Sequence, residues 1–211
     1  MTRVIKTTTT GRGLKKLLLV ALMILSSMTG KAQFNTDRLL MVGQSALYYE
    51  DYVLSIQYFN QVISAKPYLY EPWFYRGLAK FYLDDYQGAE NDCTEALGRN
   101  PFVVSVYELR GLCRIRQDNF AGAVKDYDKA LKYDPENRNL WHNRVLCHIQ
   151  QKEYDVALAQ IDTMLTRWSK NAKVYAMQAE VYMLQKDTTK AVVALDKSIA
   201  IDPYDGSLWS Q

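Results

Sequence analysis

Apolar and small residues return along this chain at one fixed interval. Pro67, Pro101, Pro135 and Pro203 are separated by 34, 34 and 68 residues, and Gly43, Gly77 and Gly111 keep the same step. So do Ala89, Ala123, Ala157 and Ala191; the series Tyr52, Tyr86, Phe120 and Tyr154; and the series Trp73, Tyr107, Trp141, Tyr175 and Trp209. Five ladders with one period identify internal repeats, each a supersecondary unit that cannot bury its apolar face alone. Opening the first unit at Thr36 sets units at 36–69, 70–103, 104–137, 138–171 and 172–205, with 206–211 beginning a sixth.

Within a unit the pattern predicts two helices. Trp73, Gly77 and Lys80 follow i, i+4, i+7 spacing on a first helix, and Ala89, Cys93, Ala96 and Leu97 mark one face of a second. Between them a polar residue recurs: Asp51, Asp85, Asn119, Glu153 and Asp187. Asp and Asn there can accept hydrogen bonds from the free N–H groups that open the second helix. Proline closes that helix by pushing the preceding residue out of the α region. A mid-helix glycine costs about 1 kcal/mol relative to alanine, which makes sense where another helix approaches too closely for a side chain. The predicted fold is all-α, a superhelix of stacked helix pairs.

The pattern Trp73-x2-Arg76-Gly77-x2-Lys80, then Ala89, Ala96 and Pro101, resembles the tetratricopeptide repeat, and Tyr107, Gly111, Phe120, Ala123, Tyr127, Ala130 and Pro135 repeat it. The resemblance covers about residues 36–205 and implies a right-handed superhelix whose concave face is lined mainly by first helices. Unit four departs from the pattern, with Val145 for the glycine, Met164 for the alanine and Ser169 for the proline. Its helices are therefore expected to cross more widely and its exit turn to be irregular. Unit five is intermediate, with Ala179 and Ser198.

The slots that face ligand in that family fall here on Leu40, Gln44, Leu47 and Tyr48, then Phe74, Leu78, Phe81 and Tyr82. They continue as Glu108, Leu112, Ile115 and Arg116, then His142, Leu146, Ile149 and Gln150. This implies an aromatic first half centred on Phe74, Leu78 and Tyr82, and a more polar second half carrying Arg116 and His142. Relatives that clamp a peptide C-terminal carboxylate use Lys and Asn where Leu40, Gln44 and Tyr75 stand, so that mode is disfavoured.

Composition narrows the function further. The 211 residues carry a formal charge of +3, but residues 1–32 hold six Lys or Arg and no acid, leaving 20 basic and 23 acidic side chains beyond them. A mildly acidic body without a basic stripe excludes nucleic acid as the expected partner. The basic leader (Arg3, Lys6, Arg12, Lys15, Lys16), the apolar run Leu17–Leu25 and the small pair Gly30 and Ala32 read as a signal peptide, 1–32, cut after Ala32. Nine apolar residues span roughly 14 Å as a helix, half of what a membrane anchor needs. The expected location is the periplasm or outside the cell, with no integral span after cleavage. No cysteine stands near the cut to make a lipoprotein.

Catalytic, cofactor and metal sites are not expected. His148 follows Val145 on the buried side of a first helix and reads as a satisfied interhelix residue, while no carboxylate pair or serine is spaced to work with His142. Cys147 beside His148 points about 100° away on a helix. Cys113 and Cys147 occupy equivalent slots on helices about 8–10 Å apart, beyond the about 7 Å that a disulfide allows. Cys93 fills a core slot. All three are expected to be free and buried, and none has metal-ligand spacing. The tyrosine ladders read as core packing.

These readings lead to a non-enzymatic scaffold of the cell envelope that binds a peptide segment or helix of another protein in its concave groove. The alternative is a spacer or targeting arm of a longer protein whose catalytic or membrane-associated domain lies beyond residue 211. Trp209, at the ladder position of an unfinished sixth unit, motivates that alternative.

Overall fold

A computed structural model describes residues 36–203; the leader 1–32 and the sixth-unit start 206–211 lie outside the described residues. The helices are α1 (36–48), α2 (Tyr52–Ala65), α3 (Glu71–Tyr82), α4 (Tyr86–Arg99), α5 (Val104–Arg116), α6 (Phe120–Tyr133), α7 (Arg138–Gln150), α8 (Tyr154–Arg167), α9 (Ala172–Leu184) and α10 (Thr188–Ile201). Each packs chiefly on its neighbours in sequence, giving a serial solenoid of helix pairs with no strand among the described residues.

One turn, used five times, reverses the chain inside each pair. Glu50, Asp84, Asp118, Lys152 and Lys186 adopt left-handed φ angles of 57–65°. The following amide bonds back across the helix end, from Asp51 N to Ala46 O (2.8 Å) through Asp187 N to Tyr182 O (2.9 Å). This is the Schellman arrangement, usually built on glycine. The next residue then caps the second helix: Asp51 accepts from Leu54 N, Asp85 from Gly88 N, Asn119 from Gly122 N and Asp187 from Lys190 N, at 2.9–3.1 Å. Glu153 does not cap; its longer side chain meets His148 instead (Nδ1–Oε2 2.6 Å).

Two glycines are fixed by close approach. A Cβ on Gly43 would lie 2.7 Å from the ring of Phe59, and one on Gly111 would lie 2.7 Å from Tyr127. Unit four solves the same contact with the sizes exchanged, burying Val145 and Ile161. There α8 packs on α7 and α9 less extensively than equivalent helices elsewhere, and Ser169 and Lys170 form an open bend instead of a hydrogen-bonded turn. The buried core accordingly falls into two clusters, one from Ala89 to Cys147 and one from Val145 to Val181, with Trp141 packed against both.

Polar forks tie the seams. Arg76, Arg110 and Arg144 each reach sixteen residues forward, to Asp92 (2.8 Å), Asp126 (3.0 Å) and Gln160 (3.0 Å). Each also reaches sixteen residues back into the preceding unit, to Asn60 (2.6 Å), Thr94 (3.2 Å) and Asp128 (2.9 Å). Gln178 keeps only the backward bond, to Asp162 (3.2 Å). Arg76 and Arg144 also lie over Trp73 and Trp141, whose indole N–H groups donate to Pro67 O and Pro135 O. The three cysteines are free and buried.

Candidate inner-face interface

The first helices leave a row of hollows where consecutive units meet. Between α1 and α3, about 480 Å³ is lined by Gln44, Leu47 and Tyr48, by Glu50 and Tyr52 at the turn, and by Tyr75, Leu78 and Tyr82. Tyr52 and Tyr82 stack at 5.1 Å and 19°, while Tyr48 stands 81% exposed and Tyr82 55% exposed. Four of these eight side chains are tyrosine, with Glu50 the one carboxylate in the lining. Such a surface combines apolar ring faces with hydroxyl groups that can donate or accept hydrogen bonds.

The sequence-expected residues divide in this geometry. Gln44, Tyr48, Leu78 and Tyr82 converge on the first hollow. Phe74 does not line it: its ring packs on the central core and against Tyr75 (5.2 Å), which takes the inward place. Phe81 likewise packs on the core and edges onto Tyr86 (5.5 Å). Leu40 and Leu112 are half-buried. Arg116 lies 5.9 Å over Tyr86, closing the seam between units two and three.

A second hollow of about 410 Å³ opens between units three and four. Ile115, Arg116, Asp118 and Phe120 face Leu146, Cys147 and Gln150 there, which brings Arg116 and Leu146 together. Glu108 is half-buried, and desolvation with nearby Asp134 raises its carboxyl above the usual carboxylate range. Ile149 is buried in the second core cluster. His142 lines a third hollow with Arg138, Lys170 and Lys173. Burial and the charge of Lys173 hold its imidazole below the ordinary histidine value.

Sequence reasoning missed Tyr52 and Tyr75 as groove residues. The periodicity assigns Tyr52 to a packing ladder, and the family resemblance marks Tyr75 only as a departure from a carboxylate clamp. It also missed the carboxylates of Asp92 and Asp126, whose 34-residue spacing was visible. Among the described residues no three His, Cys, Asp or Glu side chains group to hold a metal, and no helix is long and apolar enough to cross a membrane.

The family model for the tetratricopeptide repeat matches residues 74–138, 114–172 and 148–206. The chain belongs to the tetratricopeptide repeat family. Solved structures of the same architecture include YrrB, described as a TPR protein with an unusual peptide-binding site. It is 15% identical, with TM-score 0.70 over 81% of this chain and 87% of that one. A MamA fragment (41-end) from Desulfovibrio magneticus RS-1 is 13% identical with TM-score 0.74, over 81% and 97% of the two chains. The first TPR of Spaghetti (RPAP3), bound to the HSP90 peptide SRMEEVD, is 24% identical with TM-score 0.54, over 56% and 95%. At these identities the likeness is one of fold. No curated protein matches the chain significantly in sequence. The tetratricopeptide repeat is a helical scaffold and not an enzyme family, so any activity has to be argued from the inner face itself.

Proposed function

We propose that this tetratricopeptide repeat chain is a non-enzymatic scaffold that holds another protein by an extended segment or helix lying along its inner face. One observation carries the reading: the hollow between α1 and α3, lined by four tyrosines, two of which, Tyr48 and Tyr82, stay largely exposed. Large exposed rings around a concavity are the usual anchors of protein–protein contacts. That YrrB is described by a peptide-binding site, and that the Spaghetti TPR is bound to a peptide, supports the same use of this architecture. The basic, apolar leader supports a place in the cell envelope or outside the cell.

The test is Tyr48→Ala combined with Tyr82→Ala. Covering one such ring contributes about 1.5–3 kcal/mol before ordering costs. Because both side chains are exposed, the double variant should melt with wild-type protein. A partner captured from envelope extract by the wild-type chain should be lost by the variant. Retention of that partner at wild-type affinity removes the first hollow as the binding site.

A further inference from the structure

At each seam the core slot of a second helix and the matching slot of the next first helix stand 20 residues apart: Phe59 and Ala79, Cys93 and Cys113, Tyr127 and Cys147, Ile161 and Val181. All eight side chains are buried. Phe59 and Tyr127 fill their seams with rings, pressed so closely on Gly43 and Gly111 that an added Cβ would lie 2.7 Å away. Cys93 leaves more room, its Sγ standing 3.6 Å from the equivalent point on Gly77. The seam between units two and three is thus filled by two thiols, one on α4 and one on α5, neither with any exposed surface. Both belong to one core cluster, and the Cys93 thiol hydrogen-bonds with Cys113. The third thiol has no such partner. Cys147 neighbours the Tyr127 phenol, which burial and then Cys147 raise, and burial alone raises Cys147 itself.

We propose that Cys93 and Cys113 are a disulfide site, closed by exchange with an external disulfide as the chain folds, which staples unit two to unit three. The structure shows the reduced form. Sulfurs already in hydrogen-bond contact need only a small further approach to reach the about 2.05 Å of an S–S bond. In the first step a thiolate of the pair attacks the external disulfide, forms a mixed disulfide with one of its sulfurs and releases the other as a thiolate. The second cysteine then attacks the protein sulfur of that mixed disulfide and releases the remaining thiolate. The protein pair loses two electrons and two protons; the external disulfide takes up both and leaves as two thiols. The thiolate is the reacting form, and in the folded chain the Cys113 hydrogen bond and burial hold the Cys93 proton in place. Exchange therefore belongs to the chain before this seam closes, and the closed core then shields the bond from reductant. Disulfides persist outside the reducing cytosol, so use of this one in the cell rests on the exported placement proposed above. Its formation in solution does not.

The experiment uses the full chain, unfolded and reduced in urea, then refolded into a buffer of oxidised and reduced glutathione. Free thiols are read by alkylation in denaturant, and linked peptides by mass spectrometry. The expected result is a single alkylated thiol, Cys147, with one cross-linked peptide pair joining Cys93 to Cys113. The cross-linked chain should melt about 5–10 °C above the same chain treated with reductant. Cys147→Ser should still form the bond in full, whereas Cys113→Ala should leave Cys93 and Cys147 both open to alkylation after refolding. Three alkylated thiols in the refolded chain, a predominant bond to Cys147 or between two chains, or a cross-linked chain that melts at or below the reduced one would overturn the proposal. Cys147→Ser removes every competing pairing within one chain, so a helical Cys147→Ser variant that refolds with both thiols free ends the inference. Neither result bears on the inner face, which the tyrosine variant tests separately.

Discussion

Arg110 grips Asp126 across the α5–α6 hairpin with Nε and Nη2, at 3.0 and 2.7 Å, and the carboxylate it holds is only 3% exposed. Arg114 adds a second cation at 2.8 Å. Burying a carboxylate is tolerable when its lone pairs are met by such partners, and removing one member of the group strands the others. Asp126→Asn should therefore cost about 3 kcal/mol of unfolding free energy. Glu136→Gln, which breaks an exposed pair with Arg167, should cost no more than about 0.5 kcal/mol. Urea unfolding of both variants checks the contrast.

Two glycines should respond with opposite signs. Gly111→Val drives methyl groups into the fully buried ring of Tyr127 and should destabilise by about 1–3 kcal/mol. Gly98 lies in α4 with nothing within 4 Å of an added Cβ, so Gly98→Ala should stabilise by about 0.5–1 kcal/mol through reduced backbone freedom in the unfolded chain. Thermal melts of the two variants decide the sign.

The thiols set a pH response. Burial pushes Cys147 from 9.0 up to about 12. Between those values the unfolded chain has lost a proton that the folded chain keeps, so the stabilisation is complete below about pH 9 and is lost as pH rises toward 12. A hydrogen bond with Cys113, and then burial, raises the Cys93 thiol, and burial raises the Tyr127 phenol; both contributions act in the same direction. Unfolding free energy should fall progressively over this range. At neutral pH iodoacetamide should leave all three cysteines unmodified until the chain unfolds.

Lys152 sits at φ 60° with no glycine to ease it. A left-handed residue with a Cβ costs about 1–2 kcal/mol, partly offset by the entropy that glycine loses on folding. Lys152→Gly should thus stabilise by about 0.5–1 kcal/mol in chemical denaturation. A destabilised variant would show that the side chain contributes a contact of its own.

The serial hairpins were legible because each packing demand recurs at the same register: Gly111 needs room for Tyr127, Asp85 must satisfy Gly88 N, and the ladders display both. Glu153 stands in the same series, yet its extra methylene reaches His148 instead of the helix start. Asp92 and Asp126 were missed because their burial is decided by arginines on another helix, not by the apolar pattern around them. On the inner face, Gln44, Tyr48, Leu78 and Tyr82 line one hollow while Phe74 packs on the core, because the neighbouring Tyr75 takes the inward position, a choice between adjacent residues that periodicity does not make. Lys170 and Lys173 lie in and just after the bend where unit four has no proline, outside every ladder, so no periodicity could point to them.

The sixteen-residue reach of the arginine forks makes the seams interchangeable. Excision of residues 104–137 would set Arg144 opposite Thr94, which Arg110 already bonds, and Trp141 opposite Pro101 O, which Tyr107 already uses. The molecule is thus indexed in whole modules: recombination between them can lengthen or shorten it without any junction having to be reinvented.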